Sequence, residues 1–483
     1  MQILKCYFCK ALLLLMALIK SISGIRGTIG GKTGENLTPN DVVKFTSSYG
    51  DWLKSKNSKK ELKVVVGRDA RISGEMVNKL VCATLQAMGI SVVDLGLSTT
   101  PTVEIAVPEE KAQGGIVITA SHNPKEWNAL KLLNEKGEFL SAKDGEEILQ
   151  IAEEGKTVYS TVGKLGSYST DDSYLQKHII KILELPLVNI KAIKARKFKV
   201  VIDCVNSTGG IFVPELLAAL GVTDIVKLNC DPTGDFAHNP EPLPENLIDI
   251  SNAVKKHDAD LGIVVDPDVD RLALVSEDGE MFGEEYTLVS VADYVLAHKK
   301  GPTVSNLSST RALRDVTEIH GCEYHTSAVG EVNVVEKMKE VNAVIGGEGN
   351  GGIIYPEFHY GRDALVGIAL FLSHLATFKG KTKKCCSELR SQYTNYYISK
   401  NKIELTPDID VDAVLAKIKE KYKKQPINTI DGVKIEFDKE WVHLRKSNTE
   451  PIIRIYAESQ SESTAEHLAK KIISDIREII KGN

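Results

Sequence analysis

Four short stretches hold side chains whose types and spacing could do chemistry. In Leu261-Gly-Ile-Val-Val-Asp266-Pro267-Asp268-Val-Asp270-Arg271, three carboxylates recur at spacing two directly after an apolar run. In an extended segment that spacing puts all three on one face, and Pro267 biases Asp266 toward extended backbone. Three anions this close repel strongly without a cation among them. Hard oxygen donors on a short loop suit Mg²⁺, which keeps open positions for phosphate oxygens.

Two other readings fit less of this loop. Asp266, Asp268, Asp270 and Glu277 have the spacing of EF-hand ligands, but Arg271 stands where the sharp turn needs glycine, and the flanks read as strands. An apolar run entering Asp-x-Asp also resembles the nucleophile loop of haloacid-dehalogenase-type phosphatases. There Asp266 would be phosphorylated and Asp268 would be the general acid. That reading leaves Asp270 and Arg271 without a role.

The other three stretches supply complementary groups. Ile118-Thr-Ala-Ser121-His122-Asn123-Pro124 follows a strand-like run, and Pro124 keeps Asn123 out of helix. Ser121 therefore falls in a turn at the carboxyl end of a strand, where open α/β sheets bind ligands. Asn128-Ala-Leu-Lys131 follows closely and can bring an amine. Gly346-Gly-Glu348-Gly-Asn350-Gly-Gly352 allows close backbone approach to a ligand, with Glu348 and Asn350 able to bind hydroxyls. Arg445-Lys-Ser447-Asn448-Thr449-Glu450-Pro451-Ile-Ile-Arg454 sets two arginines, a lysine and hydroxyls around a turn, a match for a phosphate dianion. A metal site, a hydroxyl, a polar glycine-rich loop and a phosphate clamp together describe phosphoryl transfer on a phosphorylated polyol, with charge stabilisation dominating.

The elements that must position these loops recur in series. Val64–Val66, Val92–Leu95 and Ile116–Ile118 read as strands. Ser73–Met88 is helical in period, with Ser73 as N-cap and Gly89 just past the end. A second set follows: strands at 200–203, 225–228 and 261–265, with helices near 211–220 and 246–257. A third has strands at 303–306 and 341–345, with helices near 284–298, 331–339 and 364–378. After the basic stretch Lys379–Lys384, runs at 433–437, 441–445 and 452–457 alternate as antiparallel strands do. A last helix starts at Ser463 with Glu466 as a capping box, its apolar face carried by Leu468, Ile472, Ile476 and Ile480. The fold class is α/β: three similar α/β domains with mixed sheets in series, over 16–158, 159–276 and 277–383, then an α+β domain over 384–483. Residues 1–15 read as an N-terminal extension ahead of Met16, which offers a later start.

Composition narrows the function classes. The 483 residues carry 60 Lys plus Arg against 65 Asp plus Glu, a formal charge of −5, so no basic excess coats nucleic acid. Ala11–Ile19 is too short to span a bilayer. Eight cysteines, including Cys6 and Cys9 as C-x-x-C, show no disulfide or zinc framework and read as reduced cysteines of a cytoplasmic protein.

From about Met16 onward the chain resembles the α-D-phosphohexomutases. The motifs that carry the resemblance are Ser23-Gly-Ile-Arg26-Gly27, Gly67-Arg68-Asp69-Ala-Arg71, Thr119-Ala-Ser121-His122-Asn123-Pro124, Asp266-Pro-Asp268-Val-Asp270-Arg271, and Arg445-Lys-Ser447-Asn448-Thr449-Glu450-Pro451. The resemblance implies four domains around a cleft, each giving one loop. It implies that Ser121 is a phosphoserine and that Asp266, Asp268 and Asp270, with a phosphoserine oxygen, bind one Mg²⁺. Ser121, Lys131, Arg26 and Arg271 are then the catalytic set, with Lys131 the candidate general base or acid. His122, Glu348 and Asn350 contact substrate, and Arg445, Ser447, Asn448, Thr449 and Arg454 hold the phosphate that is not reacting. The resemblance further implies a hexose 1,6-bisphosphate as activator. It implies a small-molecule sugar phosphate as partner, with no nucleic acid or membrane, and a monomer or homodimer. The nearest resemblance is to phosphoglucosamine mutases, with action on mannose or glucose phosphates as the alternative. One departure stands out: many members carry Gly-Glu-x-Ser-Gly-His in the sugar loop, whereas Asn350 and Gly352 replace its serine and histidine here. His359 either reaches the site in that histidine's stead or is a surface residue.

Overall fold

The structure is a computed structural model described for residues 18–21, 24–58, 61–406, 409–446 and 452–481. The described residues form two compact bodies. One holds those up to Glu284 together with Gly352–Ser387, and the other holds Glu285–Gly351 and those from Glu388 on.

In the first body, β1 (Leu18–Ser21), β2 (Gly24–Thr28), β3 (Leu62–Arg68), β4 (Ile90–Leu97), β5 (Gly114–Ile118), β6 (Trp127–Leu133) and β7 (Tyr168–Thr170) form one mixed sheet in the order β1-β2-β6-β5-β3-β4-β7. Helices cover both faces, so the central strands are apolar on both sides. Val64, Val66, Ile116 and Ile118 join one core with Phe45, Val81 and Leu85. Val65 and Val117, on the opposite face, join another with Val103, Val107 and Leu133. The helix Gly74–Ala87 ends before Gly89 at φ +77°, as expected. Ser73 does not cap it: its hydroxyl accepts from Asn128 Nδ2 at 2.9 Å instead. The next sheet has β8 (Lys199–Asp203), β9 (Asp224–Leu228), β10 (Leu261–Val265) and β11 (Leu272–Ser276) in the order β11-β10-β8-β9. Only its β10–β11 pair is antiparallel.

In the second body, β12 (Thr303–Asn306), β13 (Tyr324–Ser327) and β14 (Ile345–Glu348) lie parallel with β12 between the other two. The strand expected at 341–345 starts only at Ile345, because the helix Glu331–Val341 runs on to left-handed Asn342. This shift carries β14 into the glycine-rich loop and fixes Glu348 at its end. β15 (Gly352–Ile354) belongs to the first body. The terminal sheet is antiparallel throughout, with β16 (Tyr397–Glu404), β17 (Ile427–Asn428), β18 (Val433–Glu436), β19 (Trp441–Lys446) and β20 (Ile452–Ser459) in the order β16-β20-β19-β18-β17. Leu468, Ile472 and Ile476 of the helix Glu462–Lys481 pack on Ile435, Val442 and Ile453. The capping box lies two residues earlier than expected. Thr464 N–H donates to Ser461 Oγ at 3.2 Å, and Ser461 N–H donates to Thr464 Oγ1 at 3.3 Å. Among the described residues no helix is long and apolar enough to cross a membrane. The architecture is three α/β domains in series and a C-terminal α+β domain.

Candidate active site

β10 delivers Asp266, and β11 carries the chain away as its antiparallel partner, with Val265 opposite Leu272. The connection between them is not extended. Val269 N–H donates to Asp266 O at 3.1 Å, and Val269 sits at φ +61°, an outlying conformation for a β-branched residue. Asp266 Oδ1 accepts the backbone N–H groups of Asp270 and Arg271, each at 3.1 Å. The three carboxylates thus converge through a tight turn and not along one strand face, which corrects the expectation from spacing. Their ligand atoms lie within 4.8 Å of one another, and all three residues are fully buried. Asp268 Oδ1 and Asp270 Oδ1 are buried without a hydrogen-bond partner. Hard, converging, unsatisfied oxygens fit a divalent cation. Burial, then Asp270 and Asp268, pushes the Asp266 carboxyl well above the usual carboxylate range.

Ser121 lies at the end of β5, in a turn at φ +49°. Its Oγ donates to Asp266 Oδ2 at 2.8 Å, and its N–H donates to Thr119 Oγ1 at 3.0 Å. Arg71 fixes this turn with its whole guanidinium. Nη1 donates to Pro124 O at 2.7 Å and Trp127 O at 3.0 Å, and Nη2 donates to Asn123 O at 2.7 Å and to Ser121 O. Nε pairs with Asp69 Oδ2 at 3.0 Å, which also accepts from Thr119 Oγ1 at 2.6 Å.

The expected cations are present beside the carboxylates. Lys131 lies on β6 opposite Val117 of β5. Its Nζ is 2.7 Å from Asp268 Oδ2 and 3.4 Å from Asp270 Oδ2. Burial opposes its charge, but the two carboxylates prevail and hold its pKa above the ordinary lysine value. Arg26 lies one strand away on β2, opposite Ala129. Arg271 Nε is 3.9 Å from Asp270 Oδ1. His122 Nδ1 stands 3.4 Å from Ser121 Oγ. Burial first, then the cations of Arg271, Arg362 and Arg26, pushes this imidazole down to about 2, so it is neutral. Ser121 thus sits where cations gather, an arrangement matched to a phosphate dianion.

Two supports escaped sequence reasoning. Arg362 Nη2 pairs with Asp270 Oδ2 at 2.7 Å. Thr100 Oγ1 donates to Asp268 Oδ2 at 2.6 Å, and its N–H donates to Asp268 O at 2.9 Å. The only local hint of Arg362 is its place just before a helix capped by Asp363. His359 is half-buried and lies between two carboxylates. Its Nε2 is 3.2 Å from Asp363 Oδ2, its Nδ1 is 3.5 Å from Glu104 Oε2, and its side chain is 14% exposed.

The second body holds the polar loop and the arginine pair. Glu348 Oε1 accepts from Asn306 Nδ2 at 2.9 Å and Gly330 N–H at 3.2 Å, and Asn350 Nδ2 donates to its Oε2 at 3.5 Å. Arg445 and Arg454 face each other directly across β19 and β20, a like-charge pairing that disfavours the sheet unless an anion sits between. Arg445 Nε is also 2.7 Å from Asp431 Oδ2. Ser447, Asn448 and Thr449 lie outside the described residues.

Known proteins match the chain over nearly its whole length. Models of the four phosphoglucomutase/phosphomannomutase domains match residues 18–158, 175–279, 283–396 and 402–474 in order. A phosphoglucomutase/phosphomannomutase of Thermococcus kodakarensis is 36% identical, over 94% of this chain and 99% of its own. A phosphoglucosamine/phosphogalactosamine mutase of Sulfurisphaera tokodaii is 33% identical, over 95% and 98%. The crystal structure of a phosphoglucomutase/phosphomannomutase family protein from Burkholderia thailandensis superposes with a TM-score of 0.80 at 26% identity, covering 97% of each chain. With the buried aspartates, the serine turn and four domain matches in sequence order, the chain belongs to the α-D-phosphohexomutases, isomerases of sugar phosphates.

Proposed function

We propose that the chain moves a phosphoryl group between the 1- and 6-oxygens of a neutral hexose, glucose or mannose, with Ser121 as the residue that carries it. The observation behind this reading is Ser121 Oγ held 2.8 Å from Asp266 Oδ2 beside three buried carboxylates and a ring of cations. In the first transfer the Ser121 Oγ–P bond breaks and a bond from phosphorus to the free sugar hydroxyl forms. The hydroxyl proton ends on Ser121 Oγ. The resulting 1,6-bisphosphate turns around and returns its other phosphate to Ser121. Lys131, held in its charged form by two carboxylates, relays that proton by giving its own to the departing Ser121 Oγ and taking up the hydroxyl's, and Arg26 and Arg271 hold the transferring oxygens. Asp266, Asp268 and Asp270 would hold a Mg²⁺ ion, which would supply charge neutralisation at the phosphoryl oxygens. Glu348 and Asn350 bind sugar hydroxyls, and Arg445, Ser447, Asn448, Thr449 and Arg454 hold the other phosphate. A hexose 1,6-bisphosphate primes Ser121.

The 36% identity to the Thermococcus kodakarensis protein favours glucose or mannose phosphate over the amino sugar expected first from the sequence. The name of the Sulfurisphaera tokodaii relative keeps glucosamine phosphate as the second reading. The test gives the protein Mg²⁺, a trace of hexose 1,6-bisphosphate, and glucose, mannose or glucosamine 1-phosphate in parallel. Glucose or mannose phosphate should match or exceed glucosamine phosphate in kcat/KM. A tenfold lead for glucosamine phosphate, about 1.4 kcal/mol of transition-state discrimination, would overturn the neutral-hexose reading in favour of the second.

A further inference from the structure

Two cysteines of the second sheet lie together where no proposed phosphoryl-transfer step uses them. β8 and β9 are parallel neighbours, with Asp203 opposite Leu228. Cys204 follows Asp203, and Cys230 comes two residues after Leu228. Both are anchored on one carbonyl: Cys204 N–H donates to Leu228 O at 3.4 Å, and Cys230 Sγ donates to it at 3.1 Å. The two thiols are close enough that each perturbs the ionisation of the other. Neither is in a disulfide; Cys204 is fully buried and Cys230 partly exposed. They are not part of a metal site, because among the described residues only the three aspartates bring three or more such ligands together.

The chain around these cysteines is strained and reaches the active site. Val205 and Asn229, which adjoin them, and Asn206, the next residue along, all sit at positive φ, between 48° and 54°. Such conformations persist only where the surroundings enforce them. The strained turn aims Ser207 and Thr208, whose hydroxyls donate to Pro267 O at 2.7 and 2.9 Å. Ser207 Oγ also accepts from Ala70 N–H at 3.3 Å. One hydroxyl therefore ties the aspartate loop to the residue beside Arg71.

We propose that Cys204 and Cys230 are a redox modification site, a dithiol that closes to a disulfide and displaces the Ser207–Thr208 support of Pro267. The oxidant is a small-molecule disulfide. The Cys230 thiolate attacks one of its sulfurs, forming a mixed disulfide and releasing one thiol. Cys204 then attacks Cys230 Sγ, forming the Cys204–Cys230 bond and releasing the second thiol. Two protein thiols are oxidised and one small-molecule disulfide is reduced to two thiols. Cys230 is suited to the first attack because it is partly exposed and its neighbour Cys204 lowers its pKa, while burial and the proximity of Cys230 raise the pKa of Cys204.

The experiment treats the full chain with oxidised glutathione, maps disulfides by mass spectrometry without reduction, and follows mutase turnover before and after dithiothreitol. The expected result is a Cys204–Cys230 cross-linked peptide with turnover about tenfold lower and restored by dithiothreitol. Cys230→Ser should keep basal turnover and lose both effects. Glutathione remaining on Cys230 without the cross-link would overturn the proposal, as would a cross-link that leaves turnover unchanged. The cross-link itself does not depend on which sugar is turned over. It therefore tests the pair even if the neutral-hexose reading fails, and turnover is followed on whichever hexose phosphate the chain accepts.

Discussion

Arg362 Nη2 and Asp270 Oδ2 are 2.7 Å apart, and Lys131 Nζ lies 3.4 Å from the same oxygen. Two cations thus share one oxygen of Asp270, leaving Oδ1 without a hydrogen bond. The backbone reinforces the join: Ala364 N–H, at the start of the helix Ala364–Thr377, donates to Val269 O at 3.1 Å. Arg362 is therefore a positioning residue for the aspartate loop.

Arg362→Ala should lower stability by about 3 kcal/mol, because it strips a buried carboxylate of a partner. It should also lower kcat by about a hundredfold through misplacement of Asp270. Arg362→Lys should recover part of both. Thermal unfolding and steady-state kinetics check this, and an unchanged kcat in the alanine variant would remove Arg362 from the site.

Arg71 supports the serine turn in a way lysine cannot imitate. Its guanidinium reaches Ser121, Asn123, Pro124 and Trp127 carbonyls and the Asp69 carboxylate at once. A single ammonium cannot span that planar fork. Arg71→Lys should unfold at lower temperature, losing about 3 kcal/mol, and should accept phosphate on Ser121 more slowly. Wild-type phosphorylation kinetics in this variant would count against the role.

How much of this was legible beforehand depends on sequence distance. Ser121, Lys131 and the three aspartates declared themselves because each motif is contiguous and its chemistry is local. Arg362 lies 92 positions from Asp270, and only the fold brings them together. The left-handed turn at Val269 was hidden for a different reason: a β-branched residue between alternating acids argues for a strand, and tertiary enforcement overrides it. The cap of the last helix slipped by two residues because Ser461 and Ser463 are the same residue type. Only the reciprocal bond with Thr464 distinguishes them. The strand at 345–348 was placed early because Val341–Ile345 is apolar, yet Val341 finishes a helix.

The aspartate trio predicts metal-linked stability. Three buried carboxylates with two unsatisfied oxygens should favour the folded chain in proportion to bound Mg²⁺. At a hundred times Kd the gain is about 2.7 kcal/mol, read as a raised Tm. Asp268→Asn should abolish the Mg²⁺ response. A Tm indifferent to Mg²⁺ and to chelator would contradict the metal assignment.

Ser121→Ala separates serine chemistry from an aspartyl nucleophile. If Ser121 carries the phosphoryl group, the variant cannot be labelled by hexose 1,6-bisphosphate and its mutase turnover falls to background. Intact-mass measurement after priming should show a phosphate adduct on the wild type alone. An adduct that survives in Ser121→Ala and maps to Asp266 would instead support the phosphatase-like reading of that loop.

The second body should weaken in mild acid because of His443. Its Nδ1 lies 2.9 Å from Ser308 Oγ and its Nε2 lies 2.6 Å from Asp431 O. Burial, aided by Lys434 and Arg445 and opposed by Asp431, lowers its pKa from 6.5 to about 4. The folded state therefore binds fewer protons than the unfolded state between those values, so stability rises with pH across that window. The contribution is complete above pH 6.5 and is lost as pH falls through 4, up to about 3 kcal/mol. Glu458 in the same body has a raised pKa, chiefly from burial, and acts in the opposite sense in acid, so the comparison must be with a variant at position 443. His443→Gln keeps polar atoms for Ser308 and Asp431 but does not titrate. Its unfolding free energy should vary less between pH 6.5 and 4 than that of the wild type, and parallel pH curves for the two proteins would refute the assignment.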